Sequence, residues 1–378
     1  MSQQPLSYVQ EHPFAPERPP LRETGLVLWM RNNLFSSITS TCLTCLSLIF
    51  LALVLPPLID WLFVRAVWFA PDGAACRVEG TGACWAFIYP KLDFFIYGTY
   101  PRAELWRVNL TLFFGAFLIL WLLWPSLGYK YVASLLFFII YPICAFFLLH
   151  GLPLIGLSLI DTGLWGGILV SLLVSAVGIV TSLPLGILLA LGRRSHMPII
   201  KLICIGFIEF VRGVPLITVL FMANTMLPLF VPENWSPDRL LRPLIGVSLF
   251  AAAYMAEVVR GGFQAIPRGQ EEGALSLGMS YWQRILLIIL PQALTTVIPG
   301  IVNTFIGLFK DTTLVAIVGI FDFLRTVDTA RLDPAWAGPS ISTTGYLFAA
   351  LFYFVFCFGM SRYSLMIERR RSAARHHA

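Results

Sequence analysis

Charge is what this sequence has little of. Only 12% of its 378 residues are Asp, Glu, Lys or Arg, 58% are hydrophobic, and the mean hydropathy is +0.79. Soluble domains carry about 25% charged residues, so a soluble globular class is excluded. Long apolar runs satisfy their backbone groups in lipid as helices, which makes this an all-α integral membrane protein. No G-x-x-x-x-G-K-[ST] occurs, so nucleotide phosphates find no cradle on this chain. H-E-x-x-H and G-x-S-x-G are missing as well, and no His/Asp cluster falls on one expected face. A membrane enzyme therefore lacks its parts. Histidine is scarce, and the adjacent His376 and His377 are too short a tract for a metal site. The net charge of +6 comes mostly from tail and loop arginines and reads as an orientation signal rather than as nucleic-acid binding.

Residues 1–35 are polar and Pro-rich, an expected disordered cytoplasmic lead-in ending in an interfacial turn around Leu26 to Leu34. Neither their charge pattern nor the long apolar run after them fits a signal peptide. Eight spans are expected, at about 38–63, 109–127, 131–149, 164–192, 202–230, 243–260, 285–308 and 346–366, each long enough to cross a bilayer. The first three, with the loop 65–107, form an N-terminal extension over 36–150. The other five lie within 164–367, and 368–378 is a basic tail. An apolar piece at 314–324 is too short to span. The fourth span is rich in Gly and Ser (Gly178, Ser182, Gly186), which permits close helix approach in lipid. Pro291 and Pro299 should kink the seventh. Eight spans put both termini on one side, and Arg193, Arg194, Lys201 and the tail arginines assign that side to the cytoplasm.

Five of the seven cysteines sit in apolar runs as small hydrophobes. Cys76 and Cys84 differ. They lie in the polar 65–107 loop, and if that loop is periplasmic they are free to pair; the residues leave the paired and reduced states open.

The stretch 254–291 is a polar island between apolar runs. Pro267 suits a first helical position. Glu271 and Glu272 follow where the helix dipole favours carboxylates. Gly278 ends the helix, since a left-handed residue there costs least as glycine. Ser280 and Gln283 make a capping box for the next helix. A short amphipathic helix outside the bilayer, joined at an angle to a span, is built to touch a soluble partner.

Glu272-Gly273-Ala274, Gly278, Ile288 and Leu290-Pro291 resemble the EAA loop of ABC-importer permeases, with Gly273 departing from the usual alanine at a cost of about 1 kcal/mol in helix propensity. The segments 207–216, 254–262 and 309–315 resemble permeases of the polar amino-acid (histidine/glutamine) group. The extra N-terminal spans, and the loop carrying Gly82-Ala83-Cys84-Trp85, are similar to the M-type permease subunit of general L-amino-acid ABC transporters. The resemblance implies a type I importer core of five helices in the bacterial inner membrane, with 261–284 as the loop coupled to an ATPase. Its expected partners are a second permease subunit, an ATPase dimer that holds ATP and magnesium, and a periplasmic amino-acid-binding protein. No cofactor is expected on this chain.

Charges inside the expected spans are costly in lipid and mark candidate path positions. Glu209 and Arg212, three apart, can pair on one helix face, and Pro215 beside them weakens the helix. Asn303, Lys310, Asp311 and Thr312 form a second group, and Glu257 with Arg260 a third. Each group also fits an internal ion pair that fixes packing. Broken helices near charges offer partners for both ends of an amino-acid zwitterion. The alternative class is an ion- or proton-coupled secondary amino-acid transporter, with Glu209 and Asp311 as couplers; no repeat of the polar loop supports it.

Overall fold

The structure, a computed structural model, describes residues 25–124, 126–232 and 237–376. It divides into two units, 1–66 with 80–82 and 67–79 with 83–378. The first unit holds α1 (Gly25–Asn33) and α2 (Ile38–Val64). The expected lead-in up to residue 24 lies outside the described residues, and the expected turn near Leu26 is the helix α1. Ser37 caps α2 by accepting from the Ser40 amide at 3.1 Å. Its last turn widens to a π-helix, Asp60–Val64, after Pro56 and Pro57.

The second unit begins with α3 (Ile88–Tyr97), α4 (Leu105–Leu123) and α5 (Lys130–His150). Lys130 donates to the carbonyl of Leu122 at 3.1 Å and to those of Trp121 and Trp124, closing the end of α4 with the cation a helix C-terminus favours. The expected polar loop is therefore more than a loop. Phe87 and Phe95 are fully buried and pack edge-on with Trp336 and Phe323, at centroid separations of 6.1 and 6.2 Å. Arg77 donates to the carbonyls of Pro334, Ala335 and Ala337, and Lys91 pairs with Asp333. The loop's spacing could not reveal this cap because its partners lie some 240–260 positions away.

The centre is built by α6 (Gly167–Arg194), α7 (Pro198–Gly213), α8 (Leu216–Phe230) and α9 (Leu241–Gln264). A Cβ on Gly186 would stand 2.7 Å from the Cβ of Met255, so glycine is what lets α6 and α9 meet. The short α10 (Arg268–Ser276) follows. Next comes α11, a run of Tyr281–Gln283, a π-turn Arg284–Ile289, and Leu290–Thr296. Then come α12 (Ile298–Val318), α13 (Phe323–Ala330) and α14 (Ile341–His376). A two-residue strand β1 (Phe321–Asp322) bridges to Gly166 and Gly167.

Among the described residues, seven helices are long and apolar enough to cross a membrane, or eight if α7 and α8, bent by 108°, form one broken span. The all-α multi-span class holds. Three expected spans need correction. The fifth is broken at Gly213–Pro215, because proline lacks the N–H that would continue the ladder. The seventh is displaced: the chain breaks at Val297, and the crossing helix is α12. The start of the expected short apolar piece 314–324 is, up to Val318, the 3₁₀ end of the crossing helix α12. The last helix continues to His376 without a break where a tail was expected.

Candidate functional site

The polar island folds as helix, stop, helix. Pro267 stands one place earlier than expected, extended (ψ 138°) just before α10, and its carbonyl accepts from the Gln270 amide at 3.0 Å. Gly278 has φ +70°, the left-handed region where a side chain would be strained. Its amide donates to Leu275 at 2.9 Å, and the Met279 amide donates to Ala274 at 3.2 Å, which satisfies carbonyls that the helix end would orphan. The Ser280 amide donates to Gln283 Oε1 at 2.9 Å, part of the expected capping box.

This geometry divides the loop's residues by face. Ala274 is buried. Glu272, Gly273 and Gly278 are exposed, and Leu275 and Leu277 are 52% and 81% exposed. Glu272 makes no hydrogen bond or ion pair among the described residues, while Glu271 turns inward to Arg194 at 3.2 Å and Arg284 at 3.8 Å. Gln292 Nε2 donates to Gln270 Oε1 at 3.2 Å. Ile288 and Leu290 pack half-buried against the cluster around Ile285, Ile289 and Phe263. Pro291 is exposed and lines a groove of about 470 Å³ with Pro267, Gln292, Thr295 and Thr296.

At the same end of α6 and α9 lies a charged cluster. The expected Glu209–Arg212 pair is not formed. Glu209 instead accepts from Arg193 Nη1 at 2.9 Å, and Arg212 reaches Glu257 at 3.6 Å. Glu257 is the hub, with Arg193 at 2.8 Å and Arg260 at 2.7 Å as well. Three guanidinium groups on three helices share this one carboxylate, whose side chain is 14% exposed. The Arg212 guanidinium also lies over the Tyr254 ring, 5.6 Å from its centroid. Arg193 was legible only as an orientation signal, because its partners lie 16 and 64 positions on.

The structure does not bring the second group to this cluster: no hydrogen bond or ion pair among the described residues joins them. Asn303 and Lys310 are exposed, Asp311 is half-buried, and buried Thr312 donates to the Phe309 carbonyl at 2.8 Å. Pro215 stands extended at the 108° bend. At the far end, Cys76 and Cys84 are joined by a disulfide. There Lys91 holds the Asp333 carboxyl below its ordinary range, and burial pushes the Asp322 carboxyl up to about 7 against the amides of Arg325 and Leu324.

Residues 182–373 match the family described as binding-protein-dependent transport system inner membrane component. The chain is 48% identical to the inner membrane amino-acid ABC transporter permease protein YhdY of Escherichia coli K12, over 95% of this chain and 97% of that one. It is 41% identical to the glutamate/glutamine/aspartate/asparagine transport system permease protein BztC of Rhodobacter capsulatus, over 96% and 98%. A crystal structure of an amino acid ABC transporter with histidines matches 54% of this chain and 92% of its own, at 28% identity and a TM-score of 0.47. The chain belongs to the family of inner membrane components of binding-protein-dependent transport systems. It is a multi-pass ABC-importer permease, a transport subunit rather than an enzyme, and the secondary-transporter alternative is not favoured.

Proposed function

We propose that the chain is one of two permease subunits of an importer that takes up polar L-amino acids delivered by a periplasmic binding protein, driven by ATP on a separate ATPase dimer. The observation that carries this reading is α10. It is a capped helix of nine residues, tied inward by Glu271 and Gln270, that leaves Glu272, Leu275 and Leu277 exposed. A mixed acidic and apolar knob on a firm base suits insertion into a protein cleft, and the family's dependence on a binding protein supplies the other partners. Glu272 and Gly273, with the turn at Gly278, would form the contact, while buried Ala274 together with Ile288, Leu290 and Pro291 would seat it on the membrane domain. That end then faces the cytoplasm, with both termini.

The substrate range follows the relatives named for amino acids. Arg212 and Pro215 at the broken helix, with Glu209 near them, are proposed path residues, as are Asn303, Lys310, Asp311 and Thr312 on α12. The test is purification of the tagged chain from its host in mild detergent. Wild type should bring an ATPase subunit and a second permease. Gly278→Asp, which forces a charged side chain into a left-handed turn, should lose most of the ATPase and keep the second permease. Equal ATPase recovery with both chains would remove α10 from the docking role.

A further inference from the structure

We infer that Arg193 and Arg194, the last two residues of α6, are positioning residues that transmit movement of the docking helix to the charged cluster at the broken helix. The inference rests on the proposed docking role of α10. Neighbours on a helix point about 100° apart, and these two face different elements. Arg194 reaches Glu271 on α10 at 3.2 Å, and its guanidinium lies over Phe263 near the end of α9, 5.3 Å from the ring centroid. Arg193 reaches Glu209 on α7 at 2.9 Å and Glu257 on α9 at 2.8 Å. One rigid helix end thus holds α10 by one residue and α7 and α9 by the next.

The Arg194–Glu271 side chains are 35% and 37% exposed. Exposed pairs of this kind add little stability, so the contact matters for where α10 sits rather than for folding. The inner half is different. Glu257 is largely buried and shared by three arginines, and Arg212 is the most loosely held of them at 3.6 Å. Arg212 stands directly before the Gly213–Pro215 break. When the end of α6 shifts, Arg193 moves against Glu257, the carboxylate's division between Arg260 and Arg212 changes, and the hinge beside Arg212 is released or held. The route runs α10, Glu271, Arg194, Arg193, Glu257, Arg212, hinge.

The test uses the whole complex, this chain with its ATPase, second permease and binding protein, in proteoliposomes. The readout is amino acid transported per ATP hydrolysed. Arg194→Gln and Glu271→Gln are each expected to lower that ratio about five-fold, and the double variant by about the same factor, because residues on one route are not additive. Arg193→Gln combined with Glu271→Gln should follow the same rule although the two do not touch. Arg194→Lys, which keeps the charge, should retain most of the ratio. Factors that multiply toward about 25-fold, a single variant with an unchanged ratio, or a lysine variant as poor as the glutamine one would overturn the inference. Failure of the docking role is seen separately: Gly278→Asp would then keep its ATPase. If Gly278→Asp loses the ATPase while the paired variants multiply, only the link falls.

Discussion

Glu271 and Glu272 are adjacent, of one chemistry, and differently employed. The helical step turns Glu271 toward Arg194 and Arg284 and leaves Glu272 exposed. A carboxylate with two cationic partners fixes the helix, whereas Glu272 has no hydrogen bond or ion pair among the described residues and carries the proposed docking contact. Asp322 makes a second point about single residues. It is fully buried and accepts from the Leu324 and Arg325 amides at 3.0 and 3.1 Å, yet burial outweighs those donors and raises its carboxyl from 3.8 to about 7. The folded protein then holds a proton that the unfolded chain has released. Its contribution to stability is full below about pH 4 and is lost as pH rises through about 7, with up to about 4 kcal/mol at stake. Asp322→Asn keeps a side chain able to cap α13 and removes the titration. The fall in Tm of the detergent-solubilised protein from pH 5 to pH 8 should shrink in the variant; an unchanged fall would mean that the Asp322 proton is not held.

At the scale of elements, the sequence was legible wherever the signal was local. The apolar runs marked most of the spans, and Gly278 and the Ser280–Gln283 box marked the stop and restart around α10, because caps are read from residues within one turn. What escaped depended on distant contacts. Glu209 and Arg212 have pairing spacing, but Arg193 from α6 competes for the first and Glu257 from α9 for the second. The 65–107 segment looked like a polar loop because the ring of Phe323, Trp336 and Phe348 that buries its aromatics arrives from the other end of the chain. The π-turns at Asp60–Val64 and Arg284–Ile289 have no simple signature. The cap carries a prediction of its own. Its disulfide closes a short loop, with the cysteines 8 positions apart, and such a closure is worth about 2–3 kcal/mol in the chain-entropy model. Cys76→Ser with Cys84→Ser should therefore speed amide exchange across 83–97 by about 10-fold or more and leave that of α10 unchanged. Equal exchange in both proteins would show that Arg77, Lys91 and the aromatic ring hold the cap without the bond.

At the scale of the molecule, the arrangement is asymmetric in what it can do alone. One end is closed by a disulfide-bonded aromatic cap held by Arg77 and Lys91. The other carries the exposed α10 and a charge cluster whose Glu257 is shared among three helices. A helix pair bent by 108° has its break directly after Arg212 of that cluster. Moving such a cluster needs a source of work. Two sources would do: protons taken up by groups such as Glu209 and Asp311, or a partner pulling on α10. They predict different energetics. In proteoliposomes holding the complex and its binding protein, uptake should require ATP and magnesium on the ATPase side and should continue when an ionophore collapses the proton gradient. Glu209→Gln should then change transport through its contact with Arg193, by less than about 10-fold, without altering the dependence on ATP. Uptake driven by a proton gradient with ATP absent would instead assign the drive to the carboxylates and leave α10 without its proposed task.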